Sequence, residues 1–158
     1  MVKRLFDVLL SGFGLILSSP LFLIITLAVW LEDRGPFFFR QVRIGRFGKS
    51  FQLYKFRSMR HLPSEVEKQA SKNDPRITRV GRVLRMTAMD ELPQIWNIFI
   101  GDMSFVGPRA QPERERVKTE SGEIDLIIRN VSGFASRQLL RPGLTGMTQV
   151  FAPREVSH

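Results

Sequence analysis

Cysteine is absent from this chain, which excludes disulfides, thiolate metal sites and a cysteine nucleophile. Histidine is nearly absent: His61 and His158 stand alone, which argues against a histidine-based zinc site. Acidic residues are scarce, 15 against 24 lysines and arginines, and none lies between Arg34 and Arg60. The resulting charge of +9 directs the chain toward an anionic partner: nucleic acid, an anionic membrane surface or phosphorylated small molecules. Charge of either sign is missing from Val8 to Leu31. Internal repeats and low-complexity tracts are missing too, and 158 residues suit one compact domain.

The uncharged run is long enough for a membrane helix. Ser18-Ser19-Pro20 sits at its middle, where proline removes an N–H and its ring meets the carbonyl of Ile16, so a bend is expected. Ser18 and Ser19 can hydrogen-bond backbone groups that lipid cannot satisfy. Each half, about 12 residues, gives ~18 Å of helix, short of a ~30 Å hydrocarbon core. Lys3 and Arg4 precede the run, and Arg34, Arg40 and Arg43 follow it; basic flanks favour the cytoplasmic side at both ends. The reading is a re-entrant helical hairpin, or bent helix, entering one leaflet. A straight, proline-kinked span is the alternative. No small-x-small site follows Trp30-Leu31 to mark a cleaved signal peptide.

Gly35-Pro36 marks the exit from this segment. Residues Phe37 to Val42 and Phe51 to Phe56 read as strands of a β-hairpin around a turn at Ile44 to Lys49. Its arginines and lysines alternate with phenylalanines, which suits a phospholipid headgroup region. Pro63 to Lys72 reads as a short helix or loop, and Asn73-Asp74-Pro75 as a turn. Ile77 to Met86 predicts a helix. Thr87 to Asp90 resembles a capping box, with Pro93 in the first turn of a helix reaching about Ile100. Pro112 to Lys118 and Glu123 to Val131 predict helices, Arg141 to Gly146 a loop, and Met147 to Phe151 a short strand. The expected class is α+β, mainly α. It comprises a re-entrant membrane helix broken at Ser19-Pro20 (residues 1–33), a β-hairpin, and a small helical cytoplasmic body (residues 34–158).

Asp90-Glu91 stands out as a carboxylate pair after an arginine-rich helix, at an expected helix start. Acidic residues in a first turn are commonly only caps. Lys55, Arg57, Arg85 and Arg109 are phosphate ligands by residue class. The loops Val106 to Ala110 and Arg141 to Gly146 can turn backbone N–H groups toward a phosphate or base. A carboxylate here can also hold Mg²⁺.

In order along the chain stand Lys3-Arg-Leu-Phe-Asp7, Ser19-Pro20, Gln41-Val-Arg43, Tyr54-Lys-Phe-Arg-Ser-Met59, Asp74-Pro-Arg-Ile-Thr-Arg-Val-Gly81, Met89-Asp-Glu-Leu-Pro-Gln94, Trp96-Asn97, Gly101-Asp-Met-Ser104, Val106-Gly-Pro-Arg109, Arg141-Pro-Gly-Leu-Thr-Gly146 and Gln149-Val150. This set, covering nearly the whole chain, resembles the bacterial sugar transferases, the monotopic phosphoglycosyl transferases that begin lipid-linked glycan assembly.

The resemblance implies a two-step transfer from a UDP-sugar to polyprenyl phosphate at the cytoplasmic face of the inner membrane, through a phosphosugar–enzyme intermediate. It implies that Asp90 is the nucleophile and a Mg²⁺ contact, with Glu91 its partner. Arg85 matches a phosphate-binding arginine, Lys55 matches the lysine of the family's Lys-Phe-Arg-Ser-Met segment, and Pro108 and Arg109 match a loop that meets the uridine nucleotide. Arg57 and Arg141 belong to matching segments. Departures also occur. Ala110 replaces the second proline of a Pro-Arg-Pro loop, and Met147-Thr148 replaces a Trp-Ala pair. Phe151-Ala-Pro-Arg154 replaces Gly-Arg-Asn, so that Arg154 can substitute one position away. Relatives usually continue past the position of His158. The alternative is therefore an inactive, membrane-bound nucleotide-binding protein of the same fold. A homodimer is left open. Nucleic acid is not an expected partner, since charge alone suggests it and no nucleic-acid motif accompanies the apolar run.

Overall fold

The computed structural model describes residues 2–60, 74–112, 114–119, 122–127 and 134–146. Helix α1 runs Val2–Asp33 without interruption, 32 residues with Pro20 inside it. The expected helix–break–helix at Ser19-Pro20 is thus one continuous helix, ~48 Å long at the usual rise. A local reason is visible. Pro20 cannot donate to the Ile16 carbonyl, and the Ser19 hydroxyl donates to it instead at 2.8 Å. Ser18 likewise donates to the Gly14 carbonyl at 2.6 Å. The backbone group that proline orphans is therefore satisfied within the helix.

Most of α1's apolar side chains are uncovered, among them Phe6, Phe13, Leu17 and Leu23. It is one helix long and apolar enough to cross a membrane. With so much apolar surface exposed, the chain is membrane-associated.

Strands β1 (Phe38–Ile44) and β2 (Ser50–Phe56) form the expected antiparallel hairpin, with Phe38 opposite Phe56 and Ile44 opposite Ser50. A 3-10 turn at Arg46–Gly48 joins them. Strand β2 serves two cores because alternate residues face opposite ways. Phe56 packs with Ile25 and Val29 of α1 and with Leu84. Leu53 packs with Ile98, Met103 and Ala110.

Helix α2 (Arg79–Met86) starts at Thr78, whose hydroxyl accepts from Gly81 N at 2.9 Å. Glu32, in the last turn of α1, accepts from Arg79 N at 2.7 Å and Val80 N at 2.9 Å. Together these satisfy three orphan donors and tie α2 to the end of α1. Helix α3 (Gln94–Ile100) ends at Gly101, whose φ of 102° needs a glycine. Arg4 from the start of α1 donates to the freed carbonyls of Ile98 (2.6 Å) and Phe99 (2.7 Å). Asp7, buried, accepts from Ser104 Oγ at 3.1 Å and Phe105 N at 3.2 Å. Both ends of α1 are therefore fastened to the body.

Strand β3 (Ser104–Val106) pairs in parallel with β6 (Gly143–Thr145). The expected loop at Arg141 to Gly146 is therefore partly strand. Strands β4 (Arg114–Thr119) and β5 (Gly122–Ile127) form an antiparallel hairpin where two helices were expected. The register sets Arg116 opposite Asp125, Lys118 opposite Glu123 and Val117 opposite Ile124. A register between two strands is invisible to a helical count made one segment at a time. A short helix, α4 (Phe134–Arg137), precedes β6 and was not anticipated. The expectations for Pro63 to Lys72 and Met147 to Phe151 fall outside the described residues.

Candidate active site

Asp90-Glu91 lies between α2 and α3, and its local geometry differs from the expected capping box. Thr87 closes α2: its hydroxyl donates to the carbonyls of Val83 (2.8 Å) and Leu84 (3.2 Å). Ala88 then takes a left-handed conformation, φ 56°, which reverses the chain. A 3-10 turn, Met89–Glu91, carries the two carboxylates, and Pro93 leads into α3.

This reversal lays the pair over β2. Lys55 Nζ meets Glu91 Oε1 at 2.6 Å, a charged hydrogen bond between partly buried groups. Asp90 is partly buried beside it. Desolvation raises its pKa first. The Lys55 charge pulls it down, Glu91 pushes it up and Arg85 pulls it down, and the net direction is upward. Arg85 is held by Ser58 Oγ, 3.1 Å from its Nε.

A shallow cleft opens beside Glu91. Arg43, Lys55, Gln94 and Arg109 supply its polar lining, over Leu53, Met103 and Leu144. Its volume is about 40 Å³, room for roughly three waters. It suits a phosphate-sized group and is open on one side. Arg43 is oriented by Gln41 Oε1, 3.0 Å from its Nε, and by the Ala110 carbonyl, 3.1 Å from Nη1. The Gly107–Arg109 loop is zipped to the Arg141–Gly143 loop. Gly143 N donates to the Pro108 carbonyl at 2.9 Å, and Gly107 N to the Thr145 carbonyl at 2.9 Å. A Cβ on Gly143 would stand 2.1 Å from Gly107 N, so the loops meet this closely only through glycine.

The structure thus brings Lys55, Glu91 and Arg109 to one cleft, with Asp90 and Arg85 next to it. Pro108 and Arg141 sit in the zipped loops without lining that cleft. Arg57 does not line it either: buried, its Nη2 stands 3.2 Å from Asp33 Oδ2 without hydrogen-bond geometry, at the joint with α1. Arg154 lies outside the described residues. Arg43 and Gln94 were not singled out as site residues. Both sit in quoted motifs, but what reveals them is their convergence on the cleft.

Among the described residues no group of three histidine, aspartate or glutamate side chains could hold a metal. Mg²⁺ does not need one, since it is commonly held by one or two carboxylates, waters and substrate phosphates. Asp90, with Glu91 beside it, fits that donor set.

A carboxylate pair among cations thus stands on a body fastened to a long apolar helix, the arrangement of a membrane-associated protein. The chain belongs to the bacterial sugar transferase family, whose family model matches residues 1–158. It is 42% identical over 149 residues to a UDP-glucose:undecaprenyl-phosphate glucose-1-phosphate transferase of Klebsiella pneumoniae, covering 94% of this chain and 30% of the relative. It is 41% identical over 174 aligned residues to the exopolysaccharide production protein ExoY of Rhizobium meliloti (strain 1021), covering 100% and 72%. It is 39% identical over 150 residues to a UDP-N-acetylgalactosamine-undecaprenyl-phosphate N-acetylgalactosaminephosphotransferase of Aeromonas hydrophila, covering 94% and 34%. The chain spans about a third of the length of the first and third of these.

Proposed function

We propose that this chain is a phosphoglycosyl transferase, moving a sugar 1-phosphate from a UDP-sugar to polyprenyl (undecaprenyl) phosphate at the cytoplasmic face of the bacterial inner membrane. The observation that carries the reading is the Asp90-Glu91 turn, with Lys55 on Glu91 and Arg85 near Asp90, beside a cleft lined by further cations. The relatives' names, which pair a UDP-sugar with undecaprenyl phosphate, support it.

In the first displacement, an Oδ of ionised Asp90 bonds to the sugar-linked phosphorus. The bond from that phosphorus to the oxygen bridging it to the uridine phosphate breaks, and UMP leaves with the electron pair. In the second, an oxyanion of polyprenyl phosphate attacks the same phosphorus and Asp90 departs, leaving a polyprenyl diphosphate sugar. Both approaches bring anion to anion. Lys55 and Arg85 offset the repulsion and Arg109 meets the nucleotide, with Pro108 and Arg141 holding its loop. Mg²⁺, held by Asp90 with Glu91, supplies charge neutralisation to the diphosphate when bound. Loss of hydration makes Asp90 a more reactive nucleophile once ionised.

The full chain in detergent, with Mg²⁺, undecaprenyl phosphate and a panel of UDP-sugars, is expected to release UMP from at least one of them. Release from none would sink the reading, and nucleotide binding without release would favour the inactive alternative.

The raised pKa of Asp90 has a definite sign. Its protonated form is favoured in the fold, so the stabilisation is complete at low pH and lost as pH rises through the raised value. In the Mg²⁺-free chain the Asp90 carboxyl therefore titrates above the ordinary aspartate value, and Lys55→Met, which removes a charge that lowers it, shifts it further up. An NMR titration of the Mg²⁺-free wild type placing Asp90 at or below the ordinary aspartate value would contradict this.

We also infer that α1 dips into one leaflet. Support comes from its two fastened ends: Lys3 and Arg4 bond the body at one, and Glu32 and Asp33 at the other. A charged body touching both ends of a crossing helix would have to enter hydrocarbon. With no native cysteine, Lys3→Cys and Arg34→Cys give clean probes. Both are expected to label from the cytoplasmic side, and labelling from opposite sides means a straight span.

A further inference from the structure

Gln94 is 4% exposed, yet its carboxamide makes no hydrogen bond to any described residue. Its side chain lines the cleft. Its amide atoms keep access to the open cleft, since among the described residues the fully buried side-chain atom without a partner is Arg57 Nη2. The neighbouring buried amide, Asn97, is the contrast, with bonds to Gln52 O, Tyr54 N and Asp102.

The backbone explains why Gln94 points where it does. From Ala88 to Trp96 the chain winds through three-residue steps: Glu91 N donates to Ala88 O, Leu92 N to Met89 O, and Ile95 N to Leu92 O. Residues three apart eclipse in such a winding, so Gln94 falls under Glu91. Glu91 is already paired with Lys55. Arg43 and Arg109 stand on the same lining. The cleft therefore offers an anion two kinds of donor: guanidinium and ammonium charges, and one neutral amide that bonds no described residue.

We propose that Gln94 is a substrate-contacting residue whose carboxamide N–H donates to a non-bridging oxygen of the substrate's diphosphate. A neutral donor suits this place. It binds an oxygen that gains charge during transfer without adding a charge that would hold the UMP product or compete with Lys55 for Glu91. The identity of the diphosphate as that of a UDP-sugar rests on the proposed phosphotransfer reading. The contact with a diphosphate oxygen rests on the cleft.

Two variants of the full chain test it. Gln94→Met keeps the volume and removes the amide. It is expected to melt close to the wild-type temperature, because the amide bonds no described residue. It is also expected to lose UMP release by on the order of 10²-fold, the effect of removing one preorganised donor. Gln94→Glu keeps the shape, removes the donor and adds repulsion, so it should lose more. Thermal protection by magnesium pyrophosphate, present in wild type, should weaken in both. UMP release by Gln94→Met or Gln94→Glu within threefold of wild type overturns the proposal. So does a clearly lower melting temperature for Gln94→Met, which would mark the amide as structural. Should wild type release no UMP, the phosphotransfer reading fails, and the pyrophosphate comparison alone then decides the Gln94 contact: equal protection of wild type and Gln94→Met overturns it.

Discussion

Replacing Asp90 by asparagine is expected to lower UMP release by about 10⁴-fold or more, the scale seen when a covalent nucleophile is removed. Stability should move the other way or not at all. Asp90 is partly desolvated, and its ionised form is disfavoured in the folded chain. A neutral, near-isosteric amide avoids that penalty at neutral pH, so the melting temperature should stay level or rise. The pairing of lost turnover with retained stability separates a nucleophile from a cap. Were Asp90 only a helix-start residue, asparagine would serve nearly as well, with activity almost unchanged. Activity within tenfold of wild type would remove Asp90 from the attack. Trapping a labelled phosphosugar on wild type but not on Asp90→Asn would fix the bond to this carboxylate.

The second large effect concerns Asn97, which no chemistry requires. The residue is 0% exposed and ties α3 to β2 and to the turn that follows α3. Its Nδ2 donates to the Gln52 carbonyl at 2.7 Å and to Asp102 Oδ2 at 3.3 Å, and its Oδ1 accepts from Tyr54 N at 3.1 Å. Those backbone groups lie on the free edge of β2, so Asn97 finishes for β2 what a further strand would have done. Its own carbonyl also accepts from Gly101, Asp102 and Met103, closing the end of α3. Asn97→Leu leaves the Gln52 carbonyl and Tyr54 N–H unpaired in the interior. The expected cost is about 2–4 kcal/mol. In a chain of this size that lowers the melting temperature by roughly 5–15 °C. Asn97→Asp keeps the acceptor for Tyr54 but sets a carboxylate against the Gln52 carbonyl and Asp102, so it should be little better. Because α3 carries Gln94 and follows the Asp90 turn, turnover should fall with stability in both variants. Scanning fluorimetry of the purified chain reads this directly, and a shift under about 2 °C would refute the bridging role.

These two residues divide the molecule between chemistry and scaffold. Asp90 is legible as chemistry from its neighbours in sequence, a carboxylate pair after an arginine-rich helix within an ordered set of motifs. Asn97 stands in the same set beside Trp96, but its residue type points to no chemistry, and an asparagine inside an apolar helix reads as a weak helix former. Its importance lies in contacts to residues 43 and 45 positions earlier.

The same line runs through the rest of the structure. The apolar run, the hairpin, α2 and α3 announce themselves by composition and period, because each is settled by residues within a few positions. The β4–β5 hairpin was misread as helices because its signal is a pairing between two segments, Arg116 with Asp125 and Lys118 with Glu123. A segment examined alone does not contain it. The same limit applies to Arg57. Its class marks it for phosphate, but its fold position beside Asp33 is set by where α1 ends.

By itself the sequence determined the family and the long apolar helix, and it singled out Asp90-Glu91 as the candidate centre of the chemistry. Those follow from residue identity and order, which need no fold to be read. Only the tertiary structure decided that Glu91 pairs with Lys55 across 36 residues, that α1 is one helix fastened at both ends, and that the two glycine loops close on each other. It alone decided that Gln94 faces the cleft with its amide bonded to no described residue. Contacts of this kind depend on which distant surfaces meet. Core packing and backbone reversal at Ala88 choose them, and no local pattern in the chain encodes that choice.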